Sequence, residues 1–274
     1  VPILNKDMTL CISLAARPSN IGTRFHNYLY EELGLNFVYK AFSPTDIAAA
    51  VAGIRGLPIR GAAVSMPYKE AVIGLVDRMD PSAEAIASVN TIVNCGGVLT
   101  AYNTDYLAIA RLLKDHAVPA AYSVLLRGSG GMAKAVAAAL RDAGFTAVTV
   151  IARNETTGRA LADLYGFGWL PEVGGTTADL IINVTPLGMR GSMRGEDERV
   201  QSFDDDAVTA AREVFDVVAL PSETPLISAA RSAGKQVITG AEVIAIQAEE
   251  QFVLYTGVRP SPEQVRAASE FSRA

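Results

Sequence analysis

The chain has 274 residues, half of them apolar, with 24 Lys and Arg against 29 Asp and Glu and a formal net charge of -5. Such a chain can bury one large α/β core or two smaller ones, and its acidic balance argues against nucleic acid as a main partner and leaves no basic face for a membrane surface. No apolar run approaches the roughly 20 residues that cross a bilayer, no signal peptide is visible, and Cys11 and Cys95 stand far apart without metal-ligand spacing, so both are expected as free thiols in a reducing cytoplasm.

Thr9–Ala15 is predicted as a buried strand. Ser19 can cap a helix that carries Phe25, Leu29 and Leu33 on one face and ends at Gly34. A strand over Asn36–Phe42 and a helix over Pro44–Arg55 follow. Next come a strand Ile59–Met66 stopped by Pro67, a helix Tyr68–Met79, and a short helix Pro81–Ala87. Val89–Asn94 and Val98–Tyr102 flank Cys95-Gly96-Gly97 and read as a hairpin. Alternating elements that end in a hairpin predict a mixed sheet covered by helices. A helix over Thr104–Ala117, closed by Pro119, carries the chain into a second domain.

That domain opens on Ser123–Lys134, an apolar run that breaks into a glycine cluster and continues as an amphipathic helix. Gly128, Gly130 and Ala133 fit G-x-G-x-x-G/A: one glycine for the tight turn, one for close approach of a pyrophosphate, and a small residue where helix meets strand. The N–H groups and positive dipole end of the helix would face the phosphates. Strands Thr146–Ala152, Ala178–Asn183, Glu213–Val217 and Gln236–Thr239 alternate with helices at Ala133–Ala143, Thr156–Tyr165, Asp206–Ala211 and Thr224–Ala233, the pattern of a doubly wound parallel sheet. Gly188–Glu198 reads as a mobile loop, and Ala241–Thr256 and Pro260–Ser272 as two closing helices that pack back on the first domain. The fold class is therefore α/β, with a mixed domain over residues 1–103 and 241–274 and a dinucleotide-binding domain over 104–240.

Ser65 and Lys69 stand where a strand ends, the usual place for ligands in open α/β sheets. In the first turn of the expected helix, Lys69 is either a solvated surface residue or an acid/base tuned by the helix dipole. Asn103-Thr104-Asp105 opens a helix at the domain junction; it reads as a cap or as part of a small-molecule site. Ser88-Val89-Asn90-Thr91 adds polar side chains. Gln247 interrupts an apolar helix as either a packing polar residue or a ligand group. At the tip of the second nucleotide-domain strand stand Arg153 and Asn154 without an acid. That choice suits the 2′-phosphate of NADP, with Arg159 one turn on able to assist. Asn183–Gly188 could border the nicotinamide. His26 and His116 show no partner spacing and receive no role. No Ser-His-Asp order, metal cluster or P-loop lysine is present, so no metal is expected.

Taken together, Ser-Met-Pro-Tyr-Lys, Val-Asn-Thr, Asn-Thr-Asp, Gly-Ser-Gly-Gly-Met-Ala, Ala-Arg-Asn, Asn-Val-Thr-Pro-Leu-Gly and Gly-Ala-Glu-Val-Ile-Ala-Ile-Gln, in that order across nearly the whole chain, resemble the shikimate/quinate dehydrogenase family, closest to its shikimate dehydrogenase-like branch. The resemblance implies a substrate domain, an NADP-binding Rossmann domain and a role in aromatic amino acid biosynthesis. It implies Lys69 and Asp105 as the catalytic pair, with Ser65, Asn90, Asp105 and Gln247 as substrate contacts. The expected cofactor set is Gly128, Ser129, Gly130, Gly131, Met132, Ala133, Arg153, Asn154, Thr185 and Gly240. The partner is a small cyclic hydroxy-acid, shikimate or alternatively quinate; a slow NADP-binding regulatory protein is the reading from another class. Oligomeric state is not set. The chain departs from the family in three places. Asn20 and Gly22 stand where the family has two serines that hold the substrate carboxylate, so Asn20 or Thr23 is the expected replacement. Ala63 replaces an Asn, and Ala219 and Leu220 occupy the region of an expected Tyr.

Overall fold

Apolar alternation on both sides of Pro119 closes into two six-stranded sheets. The computed structural model describes residues 4–191 and 197–273. Its contacts divide the chain into two units, Val1–Leu107 with Ala245–Ala274, and Ala108–Ile244. The boundaries expected at 103/104 and 240/241 lie at the first turns of helices Thr104–Asp115 and Gly240–Thr256, and the division falls about one turn further along each.

The first unit runs β1 (Thr9–Leu14), α1 (Ile21–Glu32), β2 (Phe37–Phe42), α2 (Ile47–Gly56), β3 (Gly61–Val64), β4 (Arg78–Met79), α3 (Pro81–Glu84), β5 (Thr91–Cys95) and β6 (Val98–Tyr102). The strand order is β2-β1-β3-β5-β6-β4. β1 pairs in parallel with β2 and β3, and β3, β5 and β6 are antiparallel. Alternation along the strands feeds two cores. Ile12, Leu14 and Ile92 pack with Val51 and Ile54 of α2 on one face. Cys11 and Val93 pack with Phe25, Leu29 and Tyr30 of α1 on the other, together with Phe252 and Tyr255 from the helix Gly240–Thr256 and Val265 and Ala268 from the helix Pro262–Arg273. Asp46 caps α2 through Ala48 N and Ala49 N, three residues after the expected start at Pro44. The hairpin turns at Gly96 and Gly97, with φ of 61° and 89°, which glycine adopts without strain.

The largest departure is the expected helix Tyr68–Met79. In its place are turns up to Val72, a single 3-10 turn at Ile73–Leu75, and β4. Gly74 and the β-branched Val72, Ile73 and Val76 weaken a helix there. Long-range pairing then wins: Arg78 and Met79 find ladder partners in Thr100 and Ala101, and Asp77 accepts from Leu99 N at 2.7 Å. Lys69 thus lies in a turn, and the dipole argument made for it from sequence does not apply.

α4 (Thr104–Asp115) begins in the first unit and ends in the second, which continues with β7 (Val124–Arg127), α5 (Gly131–Asp142), β8 (Val148–Ile151), α6 (Glu155–Tyr165), β9 (Gly168–Leu170), β10 (Leu180–Asn183), α7 (Asp205–Ala210), β11 (Glu213–Asp216), α8 (Pro225–Ser232) and β12 (Gln236–Thr239). α9 (Gly240–Thr256) and α10 (Pro262–Arg273) complete the chain. All six strands of this unit are parallel, in the order β12-β11-β10-β7-β8-β9. Numbered within the unit, that is the 3-2-1-4-5-6 order of dinucleotide-binding sheets, whose direction switches beside the first strand. β9 escaped the sequence reading because Gly168-Trp169-Leu170 is too short to show alternation. Of the segment 188–198 expected as a mobile loop, residues 192–196 lie outside the described residues; a 3-10 turn occupies Asp197–Arg199.

Candidate active site

In the second unit the switch point is built from backbone. Arg127 at the end of β7 pairs with Ile151 on one side and Asn183 on the other. Gly128 then turns with φ 128°, and a Cβ there would stand 2.7 Å from Val184 Cγ2, so the turn demands glycine. Gly130 is the N-cap of α5 and makes no side-chain cap bond. The N–H groups of the first turn, at Gly131, Met132 and Ala133, have no intrahelical acceptor by construction. A Cβ on Gly130 or Gly131 would meet nothing within 4 Å, so those glycines keep space open beside a positive helix end. Ala133 is fully buried where α5 meets the sheet.

These residues border a cavity of about 1530 Å³. Gly128, Ser129 and Gly130 line it, with Arg153 and Asn154 from the end of β8 and Thr185 from the end of β10. Asn154 also caps α6, accepting from Thr157 N at 3.1 Å, and the Ser129 hydroxyl lies 2.8 Å from that of Thr157. Arg159 is occupied elsewhere, paired with Glu155 at 2.8 Å and stacked 4.3 Å over Trp169. Gly240 stands outside the cavity lining; a Cβ there would overlap the backbone of Val217 and Val218. An uncapped helix start, an open glycine shelf and exposed arginine fit a phosphorylated dinucleotide.

Sequence reasoning missed the network beneath Thr185. Its hydroxyl donates to Asn183 Oδ1 at 2.6 Å, and Asn183 Nδ2 donates to Asp216 Oδ1 at 3.0 Å. Asp216 is fully buried and also accepts from Thr224 Oγ1 at 2.7 Å and Val218 N at 3.0 Å. Burial pushes its carboxyl up to about 6, against the opposing pull of those donors.

The first unit assembles side chains from separated segments. Lys69 Nζ meets Asp105 Oδ2 at 2.7 Å, with the two side chains 31% and 15% exposed. The turn that carries Lys69 is tied to the segment before β5 by Val89 N donating to Lys69 O at 2.9 Å. Asp105 sits in the first turn of α4, whose start Asn103 fixes by accepting from Tyr106 N at 3.0 Å and donating to Ser88 O at 2.9 Å. Asn90, buried, receives three donors on Oδ1: Thr104 N at 2.8 Å, Thr91 Oγ1 at 2.9 Å and Thr104 Oγ1 at 3.2 Å. Gln247 Nε2 donates to Thr104 Oγ1 at 3.2 Å. Gln251, one turn on, donates to Thr91 Oγ1 at 2.9 Å. The i, i+4 spacing of Gln247 and Gln251 was the signal available for the second glutamine.

Ser65 is exposed just past β3. Asn20 is the N-cap of α1 but makes no side-chain cap bond. The Thr23 hydroxyl is buried without a hydrogen-bond partner among the described residues. A Cβ on Gly22 would lie 3.6 Å from the Tyr39 hydroxyl. His26 is packed against Tyr39, ring centroids 4.5 Å apart, and burial lowers its pKa to about 3. His116 lies 3.2 Å from Glu242.

A parallel sheet in this order, with a glycine turn and an uncapped helix at its switch point, defines a dinucleotide-binding α/β protein. The family model described as the shikimate dehydrogenase substrate binding domain matches residues 20–92. The chain is 51% identical over 271 residues to a shikimate dehydrogenase-like protein of Haemophilus influenzae, covering 99% of both chains. It is 34% identical to the shikimate dehydrogenase (NADP(+)) of Citrifermentans bemidjiense, over 86% of this chain and 85% of that one. The structure of shikimate 5-dehydrogenase from Thermus thermophilus, in complex with NADP(H) and shikimate, superposes with a TM-score of 0.84 at 29% identity, covering 97% of this chain and all of that one. The chain belongs to the shikimate dehydrogenase family. No helix among its described residues is long and apolar enough to cross a membrane.

Proposed function

We propose that this protein is an NADP-dependent, shikimate dehydrogenase-like oxidoreductase that interconverts a ring hydroxyl of shikimate and the ketone of 3-dehydroshikimate. The observation that carries the reading is the Lys69–Asp105 pair, 2.7 Å apart and partly buried, in a chain of this family. When bound, NADP(H) accepts or supplies the hydride at its nicotinamide ring. The chain's own residues handle binding and the proton. A carbinol carbon gives up hydride only as its hydroxyl loses a proton, so oxidation needs a base within hydrogen-bond reach of that oxygen. Lys69 Nζ takes that proton as the neutral amine and returns it as the ammonium in reduction. Asp105 accepts from Lys69 Nζ at 2.7 Å and so holds it in place, and its other carboxylate oxygen accepts a hydrogen bond from a second substrate hydroxyl.

The binding groups follow from the donors already committed. The three donors on Asn90 Oδ1 leave its Nδ2 amide to donate to a substrate oxygen. Gln247 spends Nε2 on Thr104, which leaves Oε1 to accept from a ring hydroxyl. Ser65 adds a hydroxyl, and Asn20 or Thr23 serves the carboxylate end. The phosphates rest on Gly128–Ala133, and Arg153 meets the 2′-phosphate. Turnover with shikimate, quinate and related cyclic hydroxy-acids, followed by nicotinamide absorbance, tests the reading. Reduction of NADP by shikimate, faster than of NAD, is expected. Tight nucleotide binding without turnover of any such acid would overturn it in favour of a regulatory nucleotide-binding protein.

A further inference from the structure

β7 reads Val124-Leu125-Leu126 and then, where a further apolar residue would continue the core, Arg127. Period-two alternation puts Arg127 on the sheet face of Leu125, and its register partner Ile151 lies on that face too, since Leu125 and Ile151 share one core cluster. Arg153 stands two residues beyond Ile151, and both arginines line the cavity that borders the glycine turn. The Arg127 guanidinium carbon lies 5.8 Å from the ring centre of Phe203.

Neither arginine has a carboxylate within ion-pair distance among the described residues. Glu172 lines the same cavity without pairing with either. Asp204 also acts on Arg127, but its side chain is engaged in capping α7, accepting from Ala207 N at 2.8 Å. Burial first, and the neighbouring Arg153 second, pull the Arg127 pKa below its ordinary value. Arg127, half-buried, and Arg153, exposed, repel each other across the cavity they both line, and an anion between them reverses the sign of that interaction. Dinucleotide-binding sheets bring the adenosine ribose to the end of the second strand, here β8.

We infer that Arg127 is a second specificity-determining residue, which closes with Arg153 on the 2′-phosphate of NADP as a two-guanidinium clamp. The inference rests on the NADP reading above and adds to it. Arg153 at the strand tip, with no acid beside it, already suits the 2′-phosphate, and a second guanidinium strengthens that preference. A pair with no carboxylate of its own favours the ligand that carries the extra phosphate.

The test is calorimetric binding of adenosine 2′,5′-bisphosphate and of 5′-AMP, which differ only in the 2′-phosphate, to the full chain. Arg127→Met keeps a long apolar stem against Phe203 and removes the charge. It should weaken the bisphosphate by about tenfold to a hundredfold, the range for a charge-assisted contact, and leave 5′-AMP unchanged. Arg127→Lys should recover part of the preference, which a purely packing role would not require. Arg127→Met with Arg153→Met should cost less than the product of the two single losses, because the cations share one anion. Equal weakening of both ligands in Arg127→Met, or no weakening of either, overturns the inference. A wild type that does not distinguish the two ligands overturns the NADP reading along with it.

Discussion

The two units hold their candidate residues by opposite means. In the nucleotide unit the candidate phosphate shelf is built from backbone: a glycine at φ 128°, an uncapped helix start and a small buried alanine, all within one strand–turn–helix segment. In the substrate unit the candidate residues are side chains carried by separated segments, with Asn90, Thr91, Thr104, Gln247 and Gln251 joined by hydrogen bonds across up to 161 positions of sequence. The difference sets how each can fail. A backbone site fails through shape, and any Cβ in the wrong place is enough. A side-chain site fails through chemistry, and the removal of one functional group leaves the fold standing.

The sharpest way to break that comparison is at Lys69. Lys69→Ala should lower kcat by about 10²–10⁴ with a smaller change in KM, the range for loss of an acid/base group. Asp105→Asn should lower kcat too, and the double variant should be far less damaged than the product of the singles, because the pair acts as a unit. Nucleotide affinity should hold throughout, since both residues lie in the first unit. Near-normal kcat in Lys69→Ala would show that another group moves the proton.

The next effect in size is steric. Gly128→Ala forces a Cβ toward Val184 Cγ2, 2.7 Å away, on a backbone that L-residues rarely adopt. It should cost about 1–3 kcal/mol of stability and most of the nucleotide affinity. Urea unfolding read by Trp169, the chain's single tryptophan and a residue of the same unit, measures the first. Gly130→Ala is the contrast: its Cβ meets nothing within 4 Å, so stability should hold while phosphate binding falls. Equal loss of stability in both variants would remove the distinction between a glycine needed by the turn and one needed by the ligand.

What could be read from the sequence follows the same division. The glycine turn and the order of strands after it are local, so apolar runs and turn residues announce them. Tyr68–Met79 looked helical because its apolar residues are dense, yet Arg78 and Met79 belong to a ladder with β6, and no local pattern reports a partner some twenty residues away. Lys69 and Asp105 were singled out by strand-end position and family resemblance, but their meeting depends on α4 being fixed by Asn103 and Ser88. Gln251 and Asp216 were missed for the same reason: nothing in the neighbouring sequence marks either, and only the fold shows that Gln251 bonds Thr91 and Asp216 bonds Asn183 and Thr224.

A third measurement separates the units by pH. Asp216, raised to about 6 by burial, is bound to its proton more tightly folded than unfolded. Its contribution is therefore full below the unfolded pKa of about 3.9 and is lost as pH rises through about 6. His26, lowered to about 3, has the opposite sign: its contribution is full above about 6.5 and is lost as pH falls toward 3. Each slope is about 1.4 kcal/mol per pH unit within its window. Hydrogen exchange resolved by peptide should show Asp216→Asn flattening the pH dependence in the second unit between about pH 4 and 6, and His26→Phe flattening it in the first. Parallel slopes in both units, unchanged by either substitution, would remove the assignment.

The smallest expected effect concerns Gly22, where side-chain chemistry is missing from the side-chain unit. The family resemblance places a carboxylate-holding serine there, and a Cβ at Gly22 would touch the Tyr39 hydroxyl at 3.6 Å, an ordinary contact. Gly22 lies inside α1, so any side chain also gains about 0.5–1 kcal/mol of helix preference over glycine. Gly22→Ala therefore serves as the control for Gly22→Ser. The serine hydroxyl adds a hydrogen bond worth about 0.5–1.5 kcal/mol. KM for shikimate should accordingly fall about twofold to tenfold in Gly22→Ser and stay level in Gly22→Ala, with both variants melting slightly higher than the parent. Asn20→Ser, alone and combined with Gly22→Ser, tests the companion position in the same way. If serine and alanine behave alike, or if serine raises KM, then Asn20 and Thr23 already form a carboxylate site of different shape, and the acid this pocket fits best is not shikimate.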